Sequence, residues 1–162
     1  MSAILSADRK YRYRLTRDFG NIAGDGACCF VMLNPSTADE VLDDPTIRRC
    51  IGFAQRFGCN RLEVVNLFAY RSTSPDLLYV MSRNTAVGPE NDRHIAEACN
   101  ASRIVICAWG NHGALFNRAG DVLSIIRAQQ GAPPMALKIN RGSGQPAHPL
   151  YLRNDAALWE IK

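Results

Sequence analysis

A continuous apolar stretch at residues 28–33 restricts the possible folds, because a strand with this sequence must be covered on both faces. Similar stretches occur at residues 61–66 and 103–108, and a shorter one at residues 134–138. Apolar residues at helical spacing follow the earlier stretches. Strands that alternate with helices indicate right-handed βαβ units. We therefore predict an α/β fold with three layers, α/β/α, around a central, mainly parallel four-stranded sheet.

The segment before the first apolar stretch predicts an additional N-terminal edge strand. Residues 11–15 alternate bulky and charged side chains, which is typical of a strand with one solvated face. Residues 20–26 have the composition of a turn. The chain has 162 residues, without an internal repeat or a low-complexity linker, and is predicted to form a single α/β domain over residues 1–162.

Asp44 and Pro45 predict the start of the first helix. An aspartate accepts well at the cap, and proline fits the first turn, where its missing N–H costs nothing. Apolar residues from 47 to 57 form one helix face, and Gly58 ends it. For the acidic group Asp39, Asp43 and Asp44 we favour capping and surface roles. Alternatively, the loop brings two of these carboxylates into a pocket, where they act together as a proton acceptor or bind a metal.

The composition is that of an ordinary globular protein, 47% hydrophobic and 21% charged. Its apolar runs are far shorter than the roughly 18 residues of a membrane span. The N-terminus lacks the charged and apolar regions of a secretion signal. We predict a cytoplasmic protein with no membrane partner.

Metal and cofactor motifs are missing from the sequence. The six cysteines form no C-x-x-C pair and are predicted to be buried thiols in a reducing compartment. There is no P-loop, no His-Glu-x-x-His and no Gly-x-Ser-x-Gly. We predict no cofactor and no metal.

The basic residues are mostly arginines, and lysine occurs only at Lys10, Lys138 and Lys162. Arginine binds phosphate and carboxylate as a bidentate fork, which lysine cannot do. With a net charge of +4, this bias favours DNA or a nucleotide as the partner. A GC-rich genome would produce the same bias.

Polar residues follow each predicted parallel strand: Asn34, Asn66, the pair Asn111 and His112, and His148. The carboxyl ends of parallel strands share one edge of a sheet, and ligands bind there. We therefore predict that these residues gather at one site, although they lie far apart in sequence.

Each of these positions has a functional and a structural interpretation. Asn34 either builds a turn or presents its amide to a ligand or a water molecule. Asn66 ends a buried strand, where an amide suits one edge of a nucleobase. His112 follows Gly110 at a predicted helix start that attracts anions. His148 lies between prolines, which suits a residue held for catalysis, and His94 is predicted to be exposed.

Four sequence blocks resemble a bacterial family known as domain of unknown function 1643. They lie at residues 30–39, 64–71, 108–113 and 148–150 and include Ser36, Arg71, Trp109 and Leu150. The resemblance extends over nearly the whole chain and implies no established activity.

The same blocks, in the same order, are distantly similar to the uracil-DNA glycosylase superfamily. The resemblance implies the fold of that superfamily, and it implies a metal-independent hydrolysis of the bond between base and sugar. Asn34 would position the attacking water, Asn66 would read the base edge, and His148 would stabilise the departing base anion. Leu150 would hold the duplex open. Ser36, Arg71, Trp109, Asn111 and His112 are further predicted ligand-binding residues.

The chain also departs from the superfamily pattern. Ser36 replaces a glycine or tyrosine, no serine follows His148 and Pro149, and no carboxylate stands at position 34. The aromatic residue that stacks on the base is not identified, and Phe68, Tyr70 and Phe19 are the candidates. The functional alternatives are a non-catalytic nucleobase- or nucleotide-binding module and an unrelated small-molecule enzyme on the same scaffold.

Overall fold

The computed structural model describes residues 1–20 and 24–162, so the predicted turn at 20–26 lies partly outside the described residues. Within this part of the chain the strands form one seven-stranded sheet. They are β1 (Ser2–Leu5), β2 (Arg12–Asp18), β3 (Ala27–Met32), β4 (Arg61–Asn66), β5 (Ile104–Cys107), β6 (Pro134–Ala136) and β7 (Trp159–Glu160).

The strand order across the sheet is β1-β2-β4-β3-β5-β6-β7. The four central strands β4, β3, β5 and β6 are parallel to one another, whereas β1, β2 and β7 pair antiparallel. The predicted α/β class and mainly parallel centre are therefore confirmed. The predicted strand count is wrong, because β1 and β7 also join the sheet. Both are short and lack a strong pattern of their own.

Strand β2 corrects the prediction of a solvated edge strand. It lies between β1 and β4, and its register pairs Leu15 with Val64. The charged side chains of Arg12 and Arg17 are each only 2% exposed. The charge of Arg17 is compensated inside the protein, because its Nε donates to Asp43 Oδ1 at 2.7 Å. The alternating arginines of residues 11–15 also form polar contacts, Arg12 with the Ala38 carbonyl and Arg14 with Glu63, so they do not mark a fully solvated face.

The helices follow the parallel strands. They are α1 (Pro45–Arg56), α2 (Arg83–Val87), α3 (Asn91–Asn100) and α4 (Arg118–Ala128), with short 3₁₀ helices at Pro75–Val80, Asn111–Asn117 and Pro149–Tyr151. The predicted cap of α1 is confirmed, since Asp44 Oδ1 accepts the Ile47 N–H at 2.9 Å. Helix α4 begins at Arg118, directly after two residues with a left-handed backbone conformation. Phe116 and Asn117 have positive φ angles, 55° and 54°, which a helix does not allow.

Alternate residues of β3 pack into two separate cores. Phe30 and Met32 belong to the core beneath α1. Cys29 and Val31 belong to the core that α3 and α4 cover. All six cysteines are free thiols and buried, which confirms the prediction that they are buried. Among the described residues, no helix is long and apolar enough to cross a membrane.

Candidate functional site

A cleft of about 230 Å³ lies at the carboxyl ends of β3 and β4, on the face of the sheet that α1 covers. Met32 and Asn66, the last residues of the two strands, are register partners, so the loops that follow them leave the sheet side by side. The cleft is lined by Arg12, Met32, Leu33, Asn34, Ser36, Asp44, Thr46, Ile47, Val64, Asn66, Ser72, Thr73 and His148. The structure thus brings together four of the predicted site residues: Asn34, Ser36, Asn66 and His148.

Asn66 presents a buried amide to this cleft. The residue is 1% exposed, and no group within residues 1–20 and 24–162 is hydrogen-bonded to its Nδ2 or Oδ1. Leaving a buried donor or acceptor unpaired costs about 1–3 kcal/mol. We therefore expect the Asn66 amide to hydrogen-bond a ligand, or water that a ligand displaces.

The backbone at Asn66 is fixed from the opposite side of the sheet. Asn91 Nδ2 donates to the carbonyls of Asn66 at 2.9 Å and of Leu67 at 3.0 Å. Arg118 Nε donates to the same Leu67 carbonyl at 2.8 Å. Asn91 and Arg118 are both fully buried. These contacts hold the end of β4 rigidly and so fix the origin of the Asn66 side chain.

Asn34 is oriented by the neighbouring loop. Its Nδ2 donates to the Ser72 carbonyl at 3.0 Å and to the Pro35 carbonyl at 3.3 Å. The Ser72 N–H in turn donates to the Pro35 carbonyl at 2.9 Å. With the amide nitrogen engaged, the acceptor Oδ1 is the polar atom of Asn34 that remains for a ligand or a water molecule.

His148 is held as a neutral imidazole. It precedes the short helix Pro149–Tyr151, and its Nδ1 accepts the Leu150 N–H at 3.3 Å. This contact places the single ring proton on Nε2, which makes Nε2–H a donor. Burial lowers the pKa of His148 from the ordinary 6.5, while the negative charge of Asp44 acts in the opposite direction. The ring is therefore a neutral donor at the cleft near pH 7.

The loop that carries His148 rests on helix α1. Arg49 Nε donates to the Pro149 carbonyl at 3.3 Å, and the Arg49 guanidinium also binds the carbonyl of Leu152. Two turns further along, Arg56 binds the carbonyl of Ala156. Helix α1 therefore supports both the His148 loop and, at its own N-terminus, Asp44.

We expect the folded protein to lose stability as the pH falls below about 6.5. Burial lowers the folded-state pKa of both His148 and His94 from 6.5, so the unfolded chain binds more protons in this range. Stability is fully present above pH 6.5 and is lost as the pH falls towards the two folded pKa values. Chemical denaturation between pH 8 and 5 measures this loss. It should be smaller in the His94→Gln variant, and an equal loss in that variant would contradict the assignment.

Asp44 is a cleft residue for which the sequence favoured helix capping over a role in a pocket. Its Oδ1 does cap α1, but the half-buried carboxylate also lines the cleft. Its charge is close enough to influence the pKa values of both His148 and Arg12. The position was recognisable in principle, because a helix that follows a parallel strand starts at the binding edge of the sheet.

Arg12 is the second cleft residue that the sequence analysis missed. Its Nη1 donates to the Ala38 carbonyl at 2.6 Å, and burial lowers its pKa to about 10. It remains protonated at neutral pH. The sequence placed Arg12 on a solvated strand face, so no signal marked it as part of a site.

Several predicted residues lie outside the cleft, where other contacts hold them. Trp109 is 2% exposed and its Nε1 donates to Gln145 Oε1 at 2.7 Å. Asn111 Oδ1 accepts from Asn140 and Ser143 on the surface. The predicted convergence of Asn111 with Asn66 is therefore not observed, and Trp109, a predicted ligand-binding residue, faces the core beneath α3 and α4.

The remaining predicted side chains are also placed away from the cleft lining. Exposed His112 shares a 2.8 Å hydrogen bond with Tyr79. Arg71 is half-buried beside the cleft, and its Nη1 donates to the Arg9 carbonyl at 3.4 Å. Leu150 is half-buried and reaches His148 through its backbone N–H.

Two expectations about aromatic and histidine side chains need correction. His94 is 5% exposed and stacks on Tyr13 with a centroid distance of 5.1 Å, so it is not an exposed helix residue. None of the candidate stacking residues Phe19, Phe68 and Tyr70 lines the cleft. Phe68 is fully buried in the core.

The acidic group at residues 39–44 separates into distinct roles. Asp39 Oδ1 accepts the N–H groups of Val41 and Leu42, and Asp43 binds Arg17. No cluster of three or more His, Cys, Asp or Glu side chains that could hold a metal occurs in the described part of the chain.

These observations define an α/β protein with a small polar cleft at the carboxyl ends of its parallel strands. A family model described as "Protein of unknown function (DUF1643)" matches residues 12–150. The chain belongs to this family, as its sequence blocks predicted. The matched range starts at Arg12 and includes every residue that lines the cleft. Comparisons with curated proteins and with solved structures gave no match.

Proposed function

We propose that this protein hydrolyses the N-glycosidic bond between a nucleobase and its sugar, in DNA or in a nucleotide. The observation that carries the proposal is the buried, unpartnered amide of Asn66 in a cleft shared with the neutral His148. The position of the cleft at the carboxyl ends of the parallel strands β3 and β4, and the sequence resemblance to uracil-DNA glycosylases, support the same function.

The base would be recognised through its edge. Asn66 offers one acceptor and one donor group, which complement the adjacent donor and acceptor of a pyrimidine or purine edge. At about 230 Å³ the cleft is smaller than the roughly 300–1,000 Å³ pockets of drug-sized ligands. It suits a single nucleoside unit, so a base in duplex DNA must be flipped out to enter.

His148 would stabilise the leaving base. When the bond between C1′ and the base nitrogen breaks, its electron pair stays on the base, which leaves as an anion. A preorganised donor such as His148 Nε2–H lowers the barrier by binding the charge that develops there. The base then takes a proton from solvent.

Asp44 and Asn34 would act on the sugar side of the bond. The sugar carbon becomes cationic as the base departs, and the Asp44 carboxylate stabilises that charge. Water adds its oxygen to C1′ and gives up a proton, for which Asp44 is the nearby acceptor. Asn34 Oδ1 orients this water. Asp44 therefore supplies the carboxylate that is missing at position 34.

Tyr151 is a better candidate than Leu150 for holding a duplex open. It is 90% exposed in the short helix after His148, whereas Leu150 is half-buried. We expect Tyr151→Ala to lower base release from double-stranded DNA about tenfold, because stacking on a base contributes about 1–3 kcal/mol. Release from single strands should be unchanged. An equal loss on both substrates would exclude a wedge role.

Base release from defined oligonucleotides tests the proposed function. The panel carries uracil, hypoxanthine, mismatched pyrimidines and alkylated bases, in single and double strands, together with free nucleosides and nucleotides. Release by the wild-type protein that is lost in His148→Ala would establish the activity and name the base. If folded protein releases no base from any of these substrates, the proposed hydrolysis is wrong. Thermal stabilisation without turnover would then favour the binding module.

A further inference from the structure

We propose that Arg12 forms an oxyanion subsite in the cleft that binds a phosphate group of the ligand. The inference rests on the proposed function in one respect, that the cleft binds a nucleotide unit. It adds that the ligand is held by its phosphate as well as by its base, so free nucleobases and nucleosides are poor ligands.

The guanidinium of Arg12 has one edge engaged and one edge free. Nη1 donates to the Ala38 carbonyl at 2.6 Å. In the described residues, Nε is buried without a hydrogen-bond partner, and no acceptor is bonded to Nη2. Nε and Nη2 form the edge of the fork that binds two oxygens of a phosphate or carboxylate at once. The free edge is therefore the one suited to an oxyanion.

The burial of Arg12 calls for a negative partner. The residue is 2% exposed, yet no carboxylate within the described ranges forms an ion pair with it. A buried charge without a partner is strongly unfavourable, and a bound anion removes that cost. Because Arg12 also lines the cleft, the anion that satisfies it is a group of the ligand.

The charges around Arg12 allow an anion to bind. Asp44 and Asp39 are the acidic neighbours, and Arg71 and Arg17 are the basic ones. Both carboxylates already accept backbone N–H groups, Asp44 from Ile47 and Asp39 from Val41 and Leu42.

Of the two basic neighbours, Arg17 is paired with Asp43. Arg71 is bonded to a backbone carbonyl and forms no ion pair with a described carboxylate. The hydroxyl groups of Ser36 and Thr73 line the same cleft and are further donors for phosphate oxygens.

Binding of compounds without a base tests the subsite independently of base release. Calorimetry would compare inorganic phosphate, 2-deoxyribose 5-phosphate, 2-deoxyribose and acetate, and a thymidine dinucleotide would test a phosphodiester. We expect 2-deoxyribose 5-phosphate to bind at least tenfold more tightly than 2-deoxyribose. Preference for the dinucleotide would assign the phosphate to a nucleic acid strand, and preference for the monoester to a free nucleotide.

Variants then locate the binding. Arg12→Lys keeps the positive charge but removes the fork, and should weaken phosphate binding about tenfold. Arg71→Gln changes the half-buried neighbour and should weaken phosphate binding less. If Arg12→Lys does not fold, Arg71→Gln takes its place as the test. Arg153→Gln is the matched control, because Arg153 is exposed and paired with Asp155.

Unchanged phosphate affinity in folded Arg12→Lys would overturn the subsite, as would equal binding of 2-deoxyribose and its phosphate. Acetate binding as tight as phosphate would assign the site to carboxylates instead. Base release without phosphate binding would leave the proposed hydrolysis standing and remove only the subsite. Phosphate binding without base release would leave the subsite standing and exclude the proposed hydrolysis.

Discussion

Replacing His148 with alanine is expected to slow base release by about 10²–10³-fold, the typical loss when one preorganised donor to a developing anion is removed. The expectation rests on the position of the ring proton. Nδ1 accepts the Leu150 N–H, so the proton of the neutral ring is on Nε2, and His148 lines the cleft. Single-turnover kinetics on the preferred oligonucleotide isolate the chemical step from product release.

The matched control is His112→Ala, which removes the same side chain from an exposed position that binds Tyr79 outside the cleft. Its rate should equal that of the wild-type protein. Thermal denaturation of both variants checks that they are folded. A His148→Ala protein that is folded and releases base at the wild-type rate would exclude His148 from the chemistry, whatever the cleft binds.

The second large effect is expected at Asp44, where charge and capping can be separated. Asparagine caps a helix about as well as aspartate, so Asp44→Asn should keep the cap to the Ile47 N–H and the stability of α1. It removes the carboxylate that would accept the water proton. Base release should fall by about 10²–10⁴-fold, the usual contribution of a positioned acid or base.

Asp44→Ala serves as the comparison, since it removes both the charge and the cap. It should lose activity as Asp44→Asn does and, in addition, about 1 kcal/mol of unfolding free energy. Urea denaturation and base-release kinetics on the same preparations separate the two effects. Equal stability of the two variants would contradict the capping role, and a fully active Asp44→Asn would contradict the catalytic one.

The sequence was most informative where local patterns decide the structure. The apolar run at residues 28–33 and the asparagines at its end and at the end of β4 led directly to the cleft, because parallel strands share one binding edge. Arg12 was missed for a different reason. Its burial depends on pairing with a distant segment of the chain, where its backbone N–H donates to the Ala69 carbonyl at 3.0 Å. Nothing in the alternating pattern of residues 11–15 records that pairing.

Trp109 shows that a residue directly after a parallel strand does not necessarily line the cleft. Residues of an extended chain alternate between the two faces of a sheet. Ala108 therefore points to the core beneath α1, and Trp109 points to the core beneath α3 and α4. Asn66 has the opposite phase, because its neighbour Val65 occupies the α3 and α4 side. Counting this alternation from the centre of each strand would have assigned Trp109 and Asn66 to opposite faces of the sheet.

The contacts of α1 have a consequence for how the cleft works. Asp44 starts the helix, and Arg49 in its second turn holds the carbonyl of Pro149, the residue after His148. The groups proposed to act on the two sides of the scissile bond are therefore held by the same helix. We expect the distance between Asp44 and His148 to be nearly the same with and without a ligand, so that the width of the cleft selects among ligands.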